Sequence, residues 1–354
     1  MEAALNEAEQ RLAEAVHAAH VAARPLRLLG SGSKSFYGNP VEGDDFPLTL
    51  PTDSIRHQPS ELVVTVGAGT RLADLETVLA EGGQMLPFEP PHFGPRASVG
   101  GLVACGFSGP ARPFSGSARD HLLGCRIING SGRILHFGGE VMKNVAGYDI
   151  SRLMCASLGT LGVILEASFK VLPIPAAQHT LRRPMDAKQA LLEIATLTRS
   201  PLPLSAAAHY AGHLYLRVSG SESGVQAAVT EIGGETLEDG IQFWSDLREQ
   251  RLAFFDGERP LWRLSVPPAS ALPDLPGDWL LDWAGAQRWL RSSADATQIR
   301  AATEAVGGHA TLFRGGDDSL NVFHPLPDNL LALHRRVKQS FDPAGILNRG
   351  ALYP

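Results

Sequence analysis

Cysteine is scarce in this chain: Cys105, Cys125 and Cys155 are the only three in 354 residues. They are spaced too widely for a metal knuckle and are odd in number for a disulfide framework, so reduced, buried thiols are expected. An iron–sulfur cluster usually needs four thiolates, which excludes one held by this chain alone. A basic run is also missing, and the formal net charge is -6, so nothing here would track a phosphate backbone and nucleic acid is not an expected partner. No apolar run is long enough to span a membrane. The first 23 residues are rich in Ala and Glu with early acidic charge, which reads as an amphipathic helix and not a secretory leader. What remains is a globular cytoplasmic enzyme, long enough for two domains with their own cores.

Glycine is plentiful, and it falls in motifs. Residues 25–30, PLRLLG, read as a strand entering the turn GSGSKSFYG at 30–38. A second strand, ELVVTVG at 61–67, leads into a helix on which Leu72, Leu75 and Leu79 share one face. Residues 87–116 read as a Gly- and Pro-dense loop, too apolar for a linker because it carries Phe88, Phe93, Val99, Leu102 and Phe107. Strands at 122–129 and 133–137 are joined by GSG, a hairpin signal. The stretch at 142–170 then combines a short helix capped by Asp149, a turn at Gly159 and Gly162, and a half-buried strand alternating through Val163, Leu165, Ala167 and Phe169.

The texture changes at Pro173 and Pro175, and all five tryptophans fall between Trp244 and Trp289. The expected division is a domain over 1–175, a cap domain over 176–325, and a tail over 326–354. The apolar tail residues Ile346, Leu347, Leu352 and Tyr353 suggest a return to the first domain.

The GSGSKS turn looks like a dinucleotide fingerprint, but Asn39, Pro40, Gly43 and Pro47 follow it closely. No helix opens there, so a Rossmann unit is excluded. Backbone amides on a turn between strands hold a pyrophosphate without a helix behind them; a turn with no ligand is the competing reading. Taken together, GSGSKS, ASVGGLVACG near residue 100, and AGYD followed by SLGTLGVI resemble the FAD-binding domain of the vanillyl-alcohol oxidase and p-cresol methylhydroxylase (PCMH) type. FEPPHFGPRASVGG, RDHLLGCRIING, GGEVMKNVAGYDISRL, GGHATLFRGG and FDPAGILN narrow the resemblance to the smaller of the FAD-binding subunits of bacterial glycolate oxidase.

This resemblance runs over nearly the whole chain. It implies an α+β fold, with a PCMH-type two-subdomain FAD-binding domain and an α+β cap. It places Ser31, Gly32, Ser33, Lys34 and Ser35 around the FAD pyrophosphate. Ser98, Val99, Gly100 and Gly101 line pyrophosphate and isoalloxazine, Gly116 and Ser117 continue that wall, and Gly162, Val163 and Ile164 meet the adenosine half. Relatives that attach flavin covalently often use a histidine in the first loop; none is present, which implies non-covalent FAD. Two departures stand out. Ala156 takes the place of the first Gly in the wider family's Gly-Ser-Glu-Gly-Thr-Leu-Gly, and Asn348-Arg349-Gly350-Ala351 replaces Asn-Pro-Gly-Arg.

Flavin oxidation of a 2-hydroxy acid needs a cation for the carboxylate and a base or metal for the hydroxyl proton. Candidates are Arg314 and His309, with His324 a third; an ordinary structural role is the competing reading for each. The histidine-rich metal motif of hydroxy-acid dehydrogenases is absent, so no metal site is expected. The resemblance therefore implies a larger homologous FAD subunit carrying the main glycolate site and an iron–sulfur subunit taking the electrons. Tryptophans at 244–289 are either a contact surface for that partner or the core of the cap. The expected substrate is a small 2-hydroxy acid, glycolate or D-lactate. The chain is placed in the cytoplasm, free or peripheral to the inner face of the cytoplasmic membrane through the complex. A self-sufficient dehydrogenase and a cofactor-free scaffold protein of the same complex are the alternatives.

Overall fold

The computed structural model describes residues 7–139, 149–316 and 321–353. Two antiparallel sheets dominate it. The first has five strands in the order Ile55–Gln58, Val63–Gly67, Val163–Lys170, Leu122–Ile128 and Ile134–Gly138. The second has eight and draws all its strands from residues 177–314, with helices packed on it. A parallel pair, Leu26–Leu29 with Asp44–Pro47, flanks the turn at residues 30–38.

The helix Leu72–Glu81 buries Leu72, Leu75 and Leu79 completely, as their spacing predicts, against Val64, Ala167 and Phe169 of the five-stranded sheet. The strand Val163–Lys170 is buried more fully than its sequence pattern implies. Its alternation predicts one buried face, yet it is the central strand and both faces are covered. Ile164, Ala167 and Phe169 join the core beneath Leu72–Glu81. Val163 and Leu165 pack instead with Leu12, Val16 and Ala19 of the helix Glu7–Val21 and with Ile346 and Leu347 of the tail. The polar Ser168 is accommodated because its hydroxyl meets that of Thr65 at 2.9 Å.

The 87–116 segment is not all loop. Val99–Cys105 is a helix, capped by Ser98, whose Oγ accepts the Gly101 N–H at 3.3 Å, and ended by Gly106 at φ 63°. The short helix after residue 148 also differs from expectation. It spans Ser151–Met154, its N-cap position is Ile150, one residue beyond Asp149, and Asp149 pairs with Arg152 at 3.5 Å. It ends before Gly159, because Ala156 (φ 66°) and Leu158 (φ 50°) already turn the chain. Ala156 thus stands in a left-handed conformation that its Cβ disfavours by about 1–2 kcal/mol. Residues 140–148, the earlier part of that stretch, lie outside the described residues.

The tail is held by a lock that the sequence does not advertise. The Lys338 ammonium donates to the Thr160 and Leu347 carbonyls at 2.7 Å and to Asp342 at 2.6 Å. Asp342, 1% exposed, accepts the Ile346 and Leu347 N–H groups. Of the tryptophans, Trp244, Trp262, Trp283 and Trp289 are buried and Trp279 is half-buried. They therefore build the cap's core and do not form an exposed surface.

Candidate functional site

Between Leu26–Leu29 and Asp44–Pro47 the chain pairs with neither strand, and its later part is held by Asn39 and Glu42, whose N–H groups donate to the Ala351 and Arg349 carbonyls. Ser35 N–H closes a turn onto the Gly32 carbonyl, while no acceptor among the described residues takes the N–H of Gly32, Ser33 or Lys34. Gly32 has φ 77°, and a Cβ built on it meets nothing within 4 Å. The turn therefore presents free donors to open space. That space is a cavity of about 610 Å³, lined by residues 30–41, Gly101, Cys105, Leu158, Arg314 and Asn348 among others.

Four separate segments meet there. Ser31 Oγ lies 3.5 Å from Ser98 Oγ, joining the first loop to the second. Asn348 bridges two walls, its Oδ1 accepting the Leu28 N–H and its Nδ2 donating to the Leu158 carbonyl, each at 2.7 Å. The guanidinium of its neighbour Arg349 donates to the Gly345 carbonyl at 3.1 Å. Lys34, 7% exposed, donates to the His92 carbonyl at 3.1 Å and to Ser33 Oγ at 3.3 Å. Burial lowers its pKa, opposed by Cys105 and Glu249. The Cys105 thiol, also on the cavity, is pushed up to about 11 by burial, so it stays protonated near neutral pH.

The other expected residues are placed differently. A Cβ on Gly101 would meet only Ser98 Oγ, so Gly101 faces the cavity; on Gly100 it would press on Ala68 at 3.1 Å, and Val99 is wholly buried. Gly100 is thus small to let the helix sit on the sheet. Gly116 and Ser117 form a separate turn in which Asp120 accepts the Ser117 N–H at 2.8 Å and its hydroxyl at 2.7 Å. Gly162, Val163 and Ile164 pack against Ile127 and Ile128 and are not on the cavity wall.

Arg314 does reach the cavity, stacked 4.2 Å over the Phe36 ring. His309 does not accompany it: the two sit at opposite ends of one strand, about 17 Å apart at the usual rise. His324 is engaged elsewhere, since its Nδ1 accepts the Ala310 N–H at 3.2 Å, which leaves Nε2 to donate to Glu304 at 2.8 Å.

Beside the cavity, the loop at His92 and Phe93 is gripped from the cap. Glu249 accepts both N–H groups at 2.9–3.1 Å. Buried Arg217 pairs with Glu89 at 2.8 Å, and Arg263 donates to Tyr37 Oη at 3.0 Å. Nothing in the spacing of these residues signals that they meet, because each pair joins segments more than a hundred residues apart.

Asp282 lies behind this junction, accepting the Trp283 N–H at 2.7 Å and Gln287 Nε2 at 3.1 Å. Burial raises its pKa to about 7, with the charge of Glu89 adding to the rise and Arg217 opposing it. The unfolded carboxyl releases its proton near pH ~3.9, so between there and about 7 the folded state holds more protons and stability falls as pH rises. Asp282→Asn removes that loss. The melting temperature of the Asn variant, relative to wild type, should rise between pH 5 and pH 8; a difference constant across that range contradicts the placement.

The comparisons agree with this architecture. The family model described as FAD binding domain matches residues 4–138. A solved alkyldihydroxyacetonephosphate synthase superimposes with a TM-score of 0.64 at 15% identity, covering 96% of this chain and 75% of that one, which speaks to the fold alone. The matched domain and the fold place the chain in the class of FAD-binding-domain proteins of the PCMH type. Glycolate oxidase subunit GlcE of Escherichia coli (strain K12) is 47% identical over 344 residues, 97% of each chain. Glycolate oxidase subunit GlcD of Bacillus subtilis (strain 168) is 31% identical over 159 residues, 44% of this chain and 34% of that one. The chain belongs to the GlcE family of glycolate oxidase subunits.

Proposed function

We propose that this chain is the FAD-holding subunit of a glycolate oxidase complex and that it binds FAD non-covalently. The observation that carries the reading is the turn at residues 30–35, in which the N–H groups of Gly32, Ser33 and Lys34 have no acceptor among the described residues and Gly32 opens onto a cavity of about 610 Å³. Such a nest suits a pyrophosphate, with Ser31, Ser33, Ser35 and Ser98 as further donors, and the volume suits a large ligand. When bound, FAD supplies the two-electron acceptor for a 2-hydroxy acid. The chain's own residues orient it: Lys34 places positive charge behind the turn, Gly101 permits close approach, and Asn348 fixes the distance between two walls.

Non-covalent attachment is supported by the absence of histidine from residues 30–38 and by the protonated state of Cys105, a poor nucleophile. An iron–sulfur partner and a larger homologous flavin subunit are supported by the three scattered cysteines and by the kinship to subunits named GlcE and GlcD. No group of three or more His, Cys, Asp or Glu side chains that would hold a metal occurs among the described residues. The main oxidation site is placed on the larger subunit because the sequence lacks the histidine-rich motif of hydroxy-acid dehydrogenases. No helix among the described residues is long and apolar enough to cross a membrane; a cytoplasmic place, direct or beside the membrane through partners, fits the reading. We keep the division at 1–175, 176–325 and 326–354 as part of it.

Anaerobic glycolate should leave the flavin of the isolated chain oxidised and bleach it in the assembled complex. Bleaching of the isolated chain at the same rate establishes the self-sufficient dehydrogenase instead.

A further inference from the structure

The wall of the cavity beside the turn at residues 30–35 carries charge of one sign. Among its described lining residues are Arg27, Lys34 and Arg314, and no Asp or Glu. Arg27 is engaged by Asp45, to which its Nε donates at 2.6 Å, and Lys34 by the His92 carbonyl and Ser33. Arg314 is not engaged: no hydrogen bond or ion pair of its guanidinium occurs among the described residues. Buried arginines elsewhere in the cap are satisfied, Arg217 by Glu89, and Arg288 and Arg291 by backbone carbonyls. Arg314 is half-buried, and its pKa is lowered by that burial and by the charge of Arg291. Taking a guanidinium out of water without a partner is costly, so its free donors on a carboxylate-free wall suit an anion that does not belong to the chain.

The fold holds Arg314 in place from three sides. It ends the strand His309–Arg314, at the edge of the eight-stranded sheet, where it pairs with Leu261. Gly315 and Gly316, at φ 72° and 98°, turn the chain directly after it. Its guanidinium lies 4.2 Å over the Phe36 ring, with the Phe93 and Phe313 rings at 5.3 and 5.5 Å. Stacking on an aromatic face leaves the in-plane N–H groups of a guanidinium free to donate. Phe36 is the decisive contact, because it follows Ser35 in the same loop that carries the free amides of Gly32, Ser33 and Lys34. The cap therefore seats a forked cation on the loop that presents the amides. One donor set suffices for a single phosphate; two sets, one from each domain, match two linked phosphates.

We propose that Arg314 is the cap's half of a diphosphate site: the amides of residues 32–34 hold one phosphate of FAD and the Arg314 fork holds the other, so that this residue selects a dinucleotide over a mononucleotide. The proposal rests on the FAD reading above. It assigns to the cofactor a residue whose sequence segment suggests a substrate carboxylate. Arg314 acts by binding and takes no part in the oxidation.

The test is calorimetric titration of the full chain, stripped of flavin and folded by its melting curve, with FAD and with FMN, which carries one phosphate. Wild type should bind FAD more tightly than FMN. Arg314→Met should weaken FAD by about tenfold or more and leave FMN unchanged. Arg314→Lys, which keeps the charge and loses the fork, should fall between. FAD affinity of Arg314→Met equal to wild type overturns the assignment and is the result the carboxylate role predicts. Equal weakening of FAD and FMN also overturns it, because a disturbed pocket and not a lost phosphate contact gives that pattern. Should Arg314→Met not fold, Arg314→Lys decides, and wild-type FAD affinity in that variant overturns the proposal. A wild-type chain that binds FMN as tightly as FAD removes this proposal and retains the flavin reading; one that binds neither removes both, so the two failures are told apart.

Discussion

A Gly32→Trp chain is expected to purify folded and without flavin. The position explains both halves of that result. A Cβ at Gly32 meets no protein atom within 4 Å, so the indole extends into the cavity and displaces nothing in the core. The cost to the fold is the left-handed backbone at φ 77°, about 1–2 kcal/mol for a residue with a Cβ. The cost to the cofactor is much larger, because the ring occupies the space the amides of residues 32–34 face. Flavin content per chain and a far-ultraviolet melting curve measure the two separately. A variant that keeps stoichiometric flavin removes the turn from the cofactor site.

Asp342→Ala should destabilise the fold more than any of the other substitutions. The carboxylate is 1% exposed and receives the Lys338 ammonium at 2.6 Å and two backbone N–H groups. Removing it strands a half-buried ammonium and two amide donors, which breaks a buried ion pair at a cost of roughly 3–5 kcal/mol. The damage also has a direction. Lys338 ties the turn at Thr160 to Leu347, next to the Asn348 that spans the cavity, so flavin affinity should fall with stability. Asp342→Asn, which keeps one of the two acceptor oxygens, should lose less of both. Denaturant unfolding of the two variants checks the ranking, and equal stability of wild type and Asp342→Ala would contradict it.

How much of this the sequence discloses depends on how local the cause is. The helix Leu72–Glu81 follows from three leucines on one face, and the hairpin of Leu122–Ile128 with Ile134–Gly138 follows from alternation around GSG. The glycine turn at 30–38 is legible because free amides and φ > 0 are properties of the turn itself. Val99–Cys105 is hidden by its two glycines, poor helix formers, although Ser98 and Gly106 are cap residues in plain view. The double burial of Val163–Lys170 is hidden because its second cover comes from the two ends of the chain. Arg314 and His309 look like partners in the segment GGHATLFRGG, yet a strand places residues five apart far from each other. Arg217, Glu249 and Arg263 carry no motif at all and meet Glu89, the Phe93 loop and Tyr37 only in the folded chain.

On the reading proposed above, this chain alone holds FAD without a covalent bond. That is tested most directly by the visible spectrum of the purified chain, taken before and after acid precipitation. Flavin absorption in the native protein and stoichiometric FAD in the acid supernatant are expected. A chain that is colourless and takes up no added FAD, or flavin that stays with the precipitate, contradicts it.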